Sequence, residues 1–123
     1  MNYINFYDPA LALSNYQIGD VYTFYIHNPN MKRLVKVRKS DYEPYVKNLE
    51  NAIAMNNNIN NVPYLNFTRS IGIIVDTYKA TRSEEIDFIT VLFKTASGKF
   101  VLNKYVVNSS PSPMSGSSPS AAM

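Results

Sequence analysis

Between residues 70 and 107 three apolar runs follow one another with links that hold little more than turns. Ile71, Ile73 and Val75 alternate with Gly72, Ile74 and Asp76; Ile89, Val91 and Phe93 alternate with Phe88, Thr90 and Leu92; Phe100 and Leu102 alternate with Val101 and Asn103. A period of two in β-branched and aromatic residues is the pattern of strands whose successive side chains face opposite ways. Residues 80–85 read as a polar turn, and Ala96-Ser97-Gly98-Lys99 as a hairpin loop in which Gly98 takes the left-handed conformation. Links this short favour antiparallel pairing, since a parallel connection needs a longer crossover. The stretch predicts a three-stranded meander on which the rest of the chain must pack.

Upstream, Val21-Tyr22-Thr23-Phe24-Tyr25-Ile26 is β-branched and aromatic throughout, a strand with both faces covered. Asn28-Pro29-Asn30 supplies a turn, and residues 34–38 the returning strand. Next comes the one stretch of helical period. Tyr42, Tyr45, Val46, Leu49, Ala52 and Ile53 recur at steps of three and four on one face, with Lys47, Asn48, Glu50 and Asn51 on the other. The helix is predicted over 41–56. Ser40 and Glu43 have capping-box spacing, Pro44 falls inside the first turn so that Asp41 is the alternative cap, and the asparagine cluster 56–61 with Pro63 ends it.

A second helix start stands near the N-terminus, where Asp8 can cap, Pro9 suits the first helical position and Ala10-Leu11-Ala12-Leu13 continue up to Gly19. Residues 1–19 are therefore expected as a helical arm, 20–107 as the domain proper, and 108–123 as a second arm. That last stretch carries Ser-Pro-Ser-Pro and Ser-Gly-Ser-Ser-Pro, has no charged side chain and offers little to bury, the composition of a flexible segment. The fifteen asparagines are expected in connections and caps, because Asn is poor inside helices and strands. AT-rich coding accounts for their number.

The tract 70–76, followed by Ile89-Thr90-Val91-Leu92-Phe93, Gly98 and Phe100-Val101-Leu102, resembles the central strands of SH3-like barrels, including KOW-type modules. The resemblance implies a mainly β fold: a small five-stranded barrel, here with a helix inserted after the second strand and a flexible C-terminal arm. SH3-like barrels bind nucleic acids, recognise peptides and form the connectors of tailed phages, so the fold does not choose among these.

Composition narrows the chemistry. With 123 residues and 46% hydrophobic content the chain is long enough for one core. It contains no cysteine and one histidine, His27, which leaves no thiol nucleophile, no Cys-based metal site and no multi-His site. No Gly-x-Ser-x-Gly or Gly-rich phosphate loop occurs, and Glu84, Glu85 and Asp87 sit in a hairpin loop where carboxylates are expected to be solvated. An enzyme is not expected, nor a cofactor, a metal or a small-molecule substrate. The first thirty residues lack a signal-peptide pattern and no apolar run approaches a bilayer span, so membrane association is not expected either.

Two partner classes remain. Lys32, Arg33, Lys36, Arg38 and Lys39 place five positive charges in eight residues beside Tyr22, Phe24 and Tyr25, the ingredients with which small barrels hold single-stranded nucleic acid. Ten tyrosines and six phenylalanines exceed the needs of so small a core, and tyrosine suits a protein interface with one wet end. The reading that uses most features is a non-enzymatic structural or assembly protein of a virus or phage particle, in the virion or host cytoplasm. It would pack with itself or other virion proteins through a Tyr-rich barrel surface, with Ser110, Pro111, Pro113, Met114 and Pro119 in a partner-binding arm. The alternative is a basic nucleic-acid-binding barrel.

Overall fold

A computed structural model describes residues 5–25, 34–60, 69–95 and 97–108, with side chains left out of the description at 56–60 and Arg69. Five strands, β1 (Val21–Tyr25), β2 (Val35–Val37), β3 (Arg69–Tyr78), β4 (Phe88–Lys94) and β5 (Phe100–Val106), and one α-helix, α1 (Glu43–Asn60), occur in the expected order. The fold is mainly β, with the helix after the second strand. The strands form one antiparallel sheet in the order β1-β3-β4-β5-β2, built around the meander of β3, β4 and β5. Gly98 closes the β4–β5 hairpin at φ 91°, donating its N–H to the Thr95 carbonyl at 2.9 Å.

Both faces of the sheet are used. On the inner face Phe24, Ile74, Ile89, Val91, Phe93 and Val101 form a buried cluster with Tyr16 and Val107. The sheet curls around it. Flat strands sit about 4.8 Å apart, which would separate β1 from β5 by three such steps, yet the rings of Phe24 and Tyr105 approach to 4.7 Å between centroids. On the outer face α1 lays Val46, Leu49 and Ile53 over Ile71, Ile73, Val75, Leu92 and Phe100. Lys94 on β4 and Glu50 on α1 tie the two together at 2.9 Å.

The N-terminal stretch differs from the expected helical arm. Asp8 does cap a turn, its Oδ1 accepting the Ala10 N–H at 2.9 Å, but only a 3-10 turn over Leu13–Asn15 follows. Tertiary contacts win over local helix propensity, which is marginal for so short a segment. Tyr7 donates its N–H to the Thr23 carbonyl at 2.8 Å and Thr23 returns its N–H to Asn5 at 2.9 Å, so residues 5–7 run alongside β1. The Tyr7 hydroxyl reaches the Val106 carbonyl, and Asn108 donates its N–H to Leu11 at 3.2 Å and its Nδ2 to Ala10 at 3.1 Å. One segment thus bridges β1 to the end of β5 and covers the inner cluster.

Two further expectations are corrected. The asparagines are not confined to connections and caps: α1 runs to Asn60, past the expected end at 56, with Asn48, Asn51, Asn56, Asn57, Asn58 and Asn60 in it, and Asn103 lies within β5. A strong apolar face on the first half of α1 and its docking on β3 carry residues of low helix propensity. Asp87 is not solvated. It is 1% exposed and accepts the Ala80 N–H at 2.8 Å and the Lys79 ammonium at 3.4 Å, pinning the two ends of the β3–β4 connection.

Candidate functional site

The alternation of β3 changes hand at one point. Ile74 pairs with Val91, but the next paired residue is Asp76, opposite Thr90, so Val75 is an extra residue, a β-bulge. Before the bulge Ile71, Ile73 and Val75 look to the outer face; after it Asp76 and Tyr78 do. The register across β3, β4 and β5 then sets two ranks on that face: Asp76, Thr90 and Lys104, followed by Tyr78, Phe88 and Val106. Paired residues in adjacent strands share a face, so these six side chains form one surface.

α1 does not reach it. The helix packs over the half of β3 that ends at Val75; in the two ranks beyond it Asp76, Lys104 and Val106 are exposed, Tyr78 and Phe88 half-buried and Thr90 buried. The surface has definite chemistry. The Tyr78 and Phe88 rings stack at 4.9 Å and 21°, and the Lys104 ammonium lies 5.0 Å from the Phe88 centroid. Tyr78 donates its hydroxyl to Glu85 at 2.9 Å, a bond that raises the phenol's pKa, while the Thr81 N–H and Tyr78 together lower that of Glu85. Val35 at 57% and Val106 at 56% are among the most exposed large apolar residues described. A groove of about 470 Å³ runs along β5, lined by Val35, Thr90, Leu102, Lys104 and Val106 and also by Asn103 and Tyr105, whose partners Val91 and Ile89 belong to the inner cluster.

The basic residues singled out from the sequence are not gathered into one patch within the described region. Lys36 pairs with Val101, whose side chain belongs to the inner cluster, and so takes the face opposite to Val35 and Val37. Arg38 is engaged by Asp41, Nε to Oδ2 at 3.1 Å and Nη2 to Oδ1 at 3.3 Å. Lys39 lies in a 3-10 turn, Lys39–Tyr42, where its charge helps lower the pKa of Glu50 after the larger effect of Lys94. Lys32, Arg33 and His27 lie outside the described residues, as do Ser110, Pro111, Pro113, Met114 and Pro119.

The tyrosines are also placed otherwise than expected of a Tyr-rich surface. Tyr16 is buried, and Tyr7, Tyr22 and Tyr105 pack against the inner cluster. Desolvation pushes the phenols of Tyr7 and Tyr105 up to about 12. Tyr42 and Tyr45 pack against the outer cluster beside α1, so that among the described tyrosines Tyr25 and Tyr78 remain, Tyr25 stacking on Phe6 at 5.5 Å. Among the described residues no group of three or more His, Asp or Glu could hold a metal ion, and no helix is long and apolar enough to cross a membrane. Family models, curated proteins and solved structures were compared with the chain, and none of the three comparisons returns a match.

Proposed function

We propose that this chain is a non-enzymatic assembly component whose working surface is the outer sheet face left open beyond α1. The unequal covering of the sheet carries this reading. The inner face is sealed by the N-terminal segment and half of the outer face by α1. The other half holds a stacked aromatic pair, the exposed Val106 and part of a groove along β5. Apolar and aromatic residues grouped on one exposed face, bordered by charge, are the ordinary makings of a protein interface. A structural place in a viral particle, with an SH3-like relationship for the barrel, belongs to the same proposal and draws on the composition and the meander.

The alternative, a nucleic-acid-binding barrel, has weaker support because Arg38 is engaged by Asp41 and Lys36 lies on the other face from Lys104. Sedimentation velocity on the purified chain over a hundredfold range of concentration, with and without a short oligonucleotide, tests both. A mass that rises with concentration is expected. A constant monomer mass would end the assembly reading, and oligonucleotide binding abolished by Lys36→Glu with Arg38→Glu would replace it.

A further inference from the structure

We infer that residues 5–16 are a strap that lifts off the inner cluster as one body and is latched by Asn108. The stretch is braced from within. The Tyr16 hydroxyl binds both backbone groups of Asp8, accepting from its N–H at 3.0 Å and donating to its carbonyl. Inside that span Asp8 accepts the Ala10 N–H at 2.9 Å and the Leu11 N–H at 3.2 Å. Ala12 accepts the Asn15 N–H and Leu13 the Tyr16 N–H, both at 2.9 Å. Residues 8–16 thus form a compact surface loop whose two ends are held together by its own groups, the geometry of an Ω-loop.

The hydrogen bonds that tie this body to the sheet lie at two places. At the edge of β1, Tyr7 and Asn5 bind the backbone of Thr23; at the end of β5, Asn108 binds Leu11 and Ala10, and the Tyr7 hydroxyl binds the Val106 carbonyl. Among residues 5–16 Tyr16 alone is buried. Few buried side chains and exposed backbone bonds place the opening of a segment below global unfolding in free energy. The motion has a defined end. Gly19 donates its N–H to the Ile74 carbonyl at 2.7 Å and Ile74 returns its N–H to Asp20 at 2.9 Å, while Gln17 donates its N–H to the Asp20 carboxylate at 3.1 Å. Residues 17–20 therefore stay with β3, and the pivot falls between Tyr16 and Gln17. Lifting takes Tyr7 off Phe24 and Tyr105, and Tyr16 off Tyr22, so the open form bares an aromatic surface that the closed form hides. Asn108 follows β5 after one residue, so the latch makes the C-terminal end of the sheet and the N-terminal strap hold one another.

Native-state amide hydrogen exchange on the full chain, read by NMR, tests this. Thr23 is the decisive reporter: it lies in the middle of β1, yet its N–H and its carbonyl both bind the strap and not β3. The Tyr7, Thr23 and Asn108 amides should share one opening equilibrium, at least about tenfold larger than that of Val91 and Leu92 on the central strand. Asn108→Ala, at an exposed site, removes the bond to Ala10 and should speed exchange at Thr23 by about two- to tenfold, the weight of one hydrogen bond, although Asn108 and Thr23 are bound to different parts of the strap. Tyr7→Phe keeps the ring, loses the bond to Val106 and should speed exchange at Asn108 by a similar factor. The β4 amides should not respond to either change. Thr23 exchanging only as slowly as β4 would overturn the strap. Absence of either cross-effect would mean that the two ties fray separately and would overturn the latch, as would β4 amides accelerated as much as Thr23. None of these results depends on whether the chain self-associates, so they stand apart from the fate of the assembly reading.

Discussion

Replacing Gly72 by Ala tests the tight packing on the inner face of the sheet. Gly72 lies on β3 between Tyr22 of β1 and Phe93 of β4, and its φ is outside the left-handed region, so nothing in the backbone demands glycine there. The demand is steric. A Cβ at this position would lie 2.4 Å from Val91 Cγ1 and 2.7 Å from Phe93 Cε1. Carbon atoms settle about 3.5–4.0 Å apart, so both neighbours would have to retreat by about an ångström. Neither has room. Val91 and Phe93 are 0% exposed, and the Phe93 ring is held edge-on to Phe24 at 5.6 Å between centroids. Overpacking by one carbon costs about 1–3 kcal/mol, and this site belongs at the upper end. The stiffer unfolded chain returns about 0.4–1 kcal/mol. The net expectation is a loss of about 1–2.5 kcal/mol, which for a domain of this size lowers Tm by about 5–20 °C. Urea unfolding followed by circular dichroism measures it. If the ring is the obstacle, Phe93→Leu should relieve the penalty, and a double-mutant cycle should show favourable coupling of at least about 0.5 kcal/mol. A Gly72→Ala variant as stable as the wild type, or additive with Phe93→Leu, would refute the steric account.

Three other expectations follow from the buried and paired groups. Asp87→Ala removes the acceptor for the Ala80 N–H and the partner of Lys79, and should lower unfolding free energy by about 1–3 kcal/mol in the same urea assay. Glu50 is held below its ordinary pKa of 4.5, chiefly by the hydrogen bond from Lys94. The folded state therefore binds this proton less readily than the unfolded state, so the contribution is complete above the ordinary value and is lost as pH falls through the lowered one. Because the Glu50 side chain is 37% exposed, solvent screens the pair; Lys94→Met should remove less than about 1 kcal/mol of acid-sensitive stability, measured as midpoint against pH. Tyr7 and Tyr105 are raised from 10.0 to about 12, so their protonated forms favour the fold. Their stabilisation is whole below pH 10 and is lost as pH climbs through 12. Ultraviolet titration should show the two phenols ionising late, with unfolding, and Tyr105→Phe should shift alkaline unfolding upward.

The strands were legible because their physics is local. Ile89, Val91 and Phe93 alternate on a buried strand, and a hairpin with Gly98 at its tip needs no more than the turn's own dihedrals. The first part of α1 was legible for the same reason, since Val46, Leu49 and Ile53 recur with the helical period and are the residues buried on β3. What escaped depends on distant partners. Asp8 and Pro9 look like a helix start, and only the anchoring of Leu11 and Ala10 by Asn108 turns the segment into a cover for the inner cluster. Asp87 looks like any loop carboxylate until the β3–β4 connection folds around it. The open face was the least legible. Asp76, Phe88, Thr90 and Lys104 are each visible in the sequence, but their ranking depends on the register of three strands.

That ranking depends in turn on one residue. Had the period of two continued through β3 without interruption, Val75 would face Thr90 and Asp76 would face Ile89, on the inner side of the sheet. Ile89 is 0% exposed among the aromatic rings of the inner cluster. Thr77, which pairs with Ile89 instead, is half-buried there, so a carboxylate in its place would lose part of its hydration. The bulge at Val75 avoids the conflict. It leaves Val75 under α1, sends Asp76 outward, and lets the Asp76 carboxylate accept the Thr77 N–H at the irregularity. It also carries Tyr78 to the outer face, where it meets Phe88. The covered and the open halves of the outer face are thus two consequences of the same inserted residue. The device that turns a charge away from the inner face of the sheet is the one that sets Asp76 level with Lys104 across Thr90.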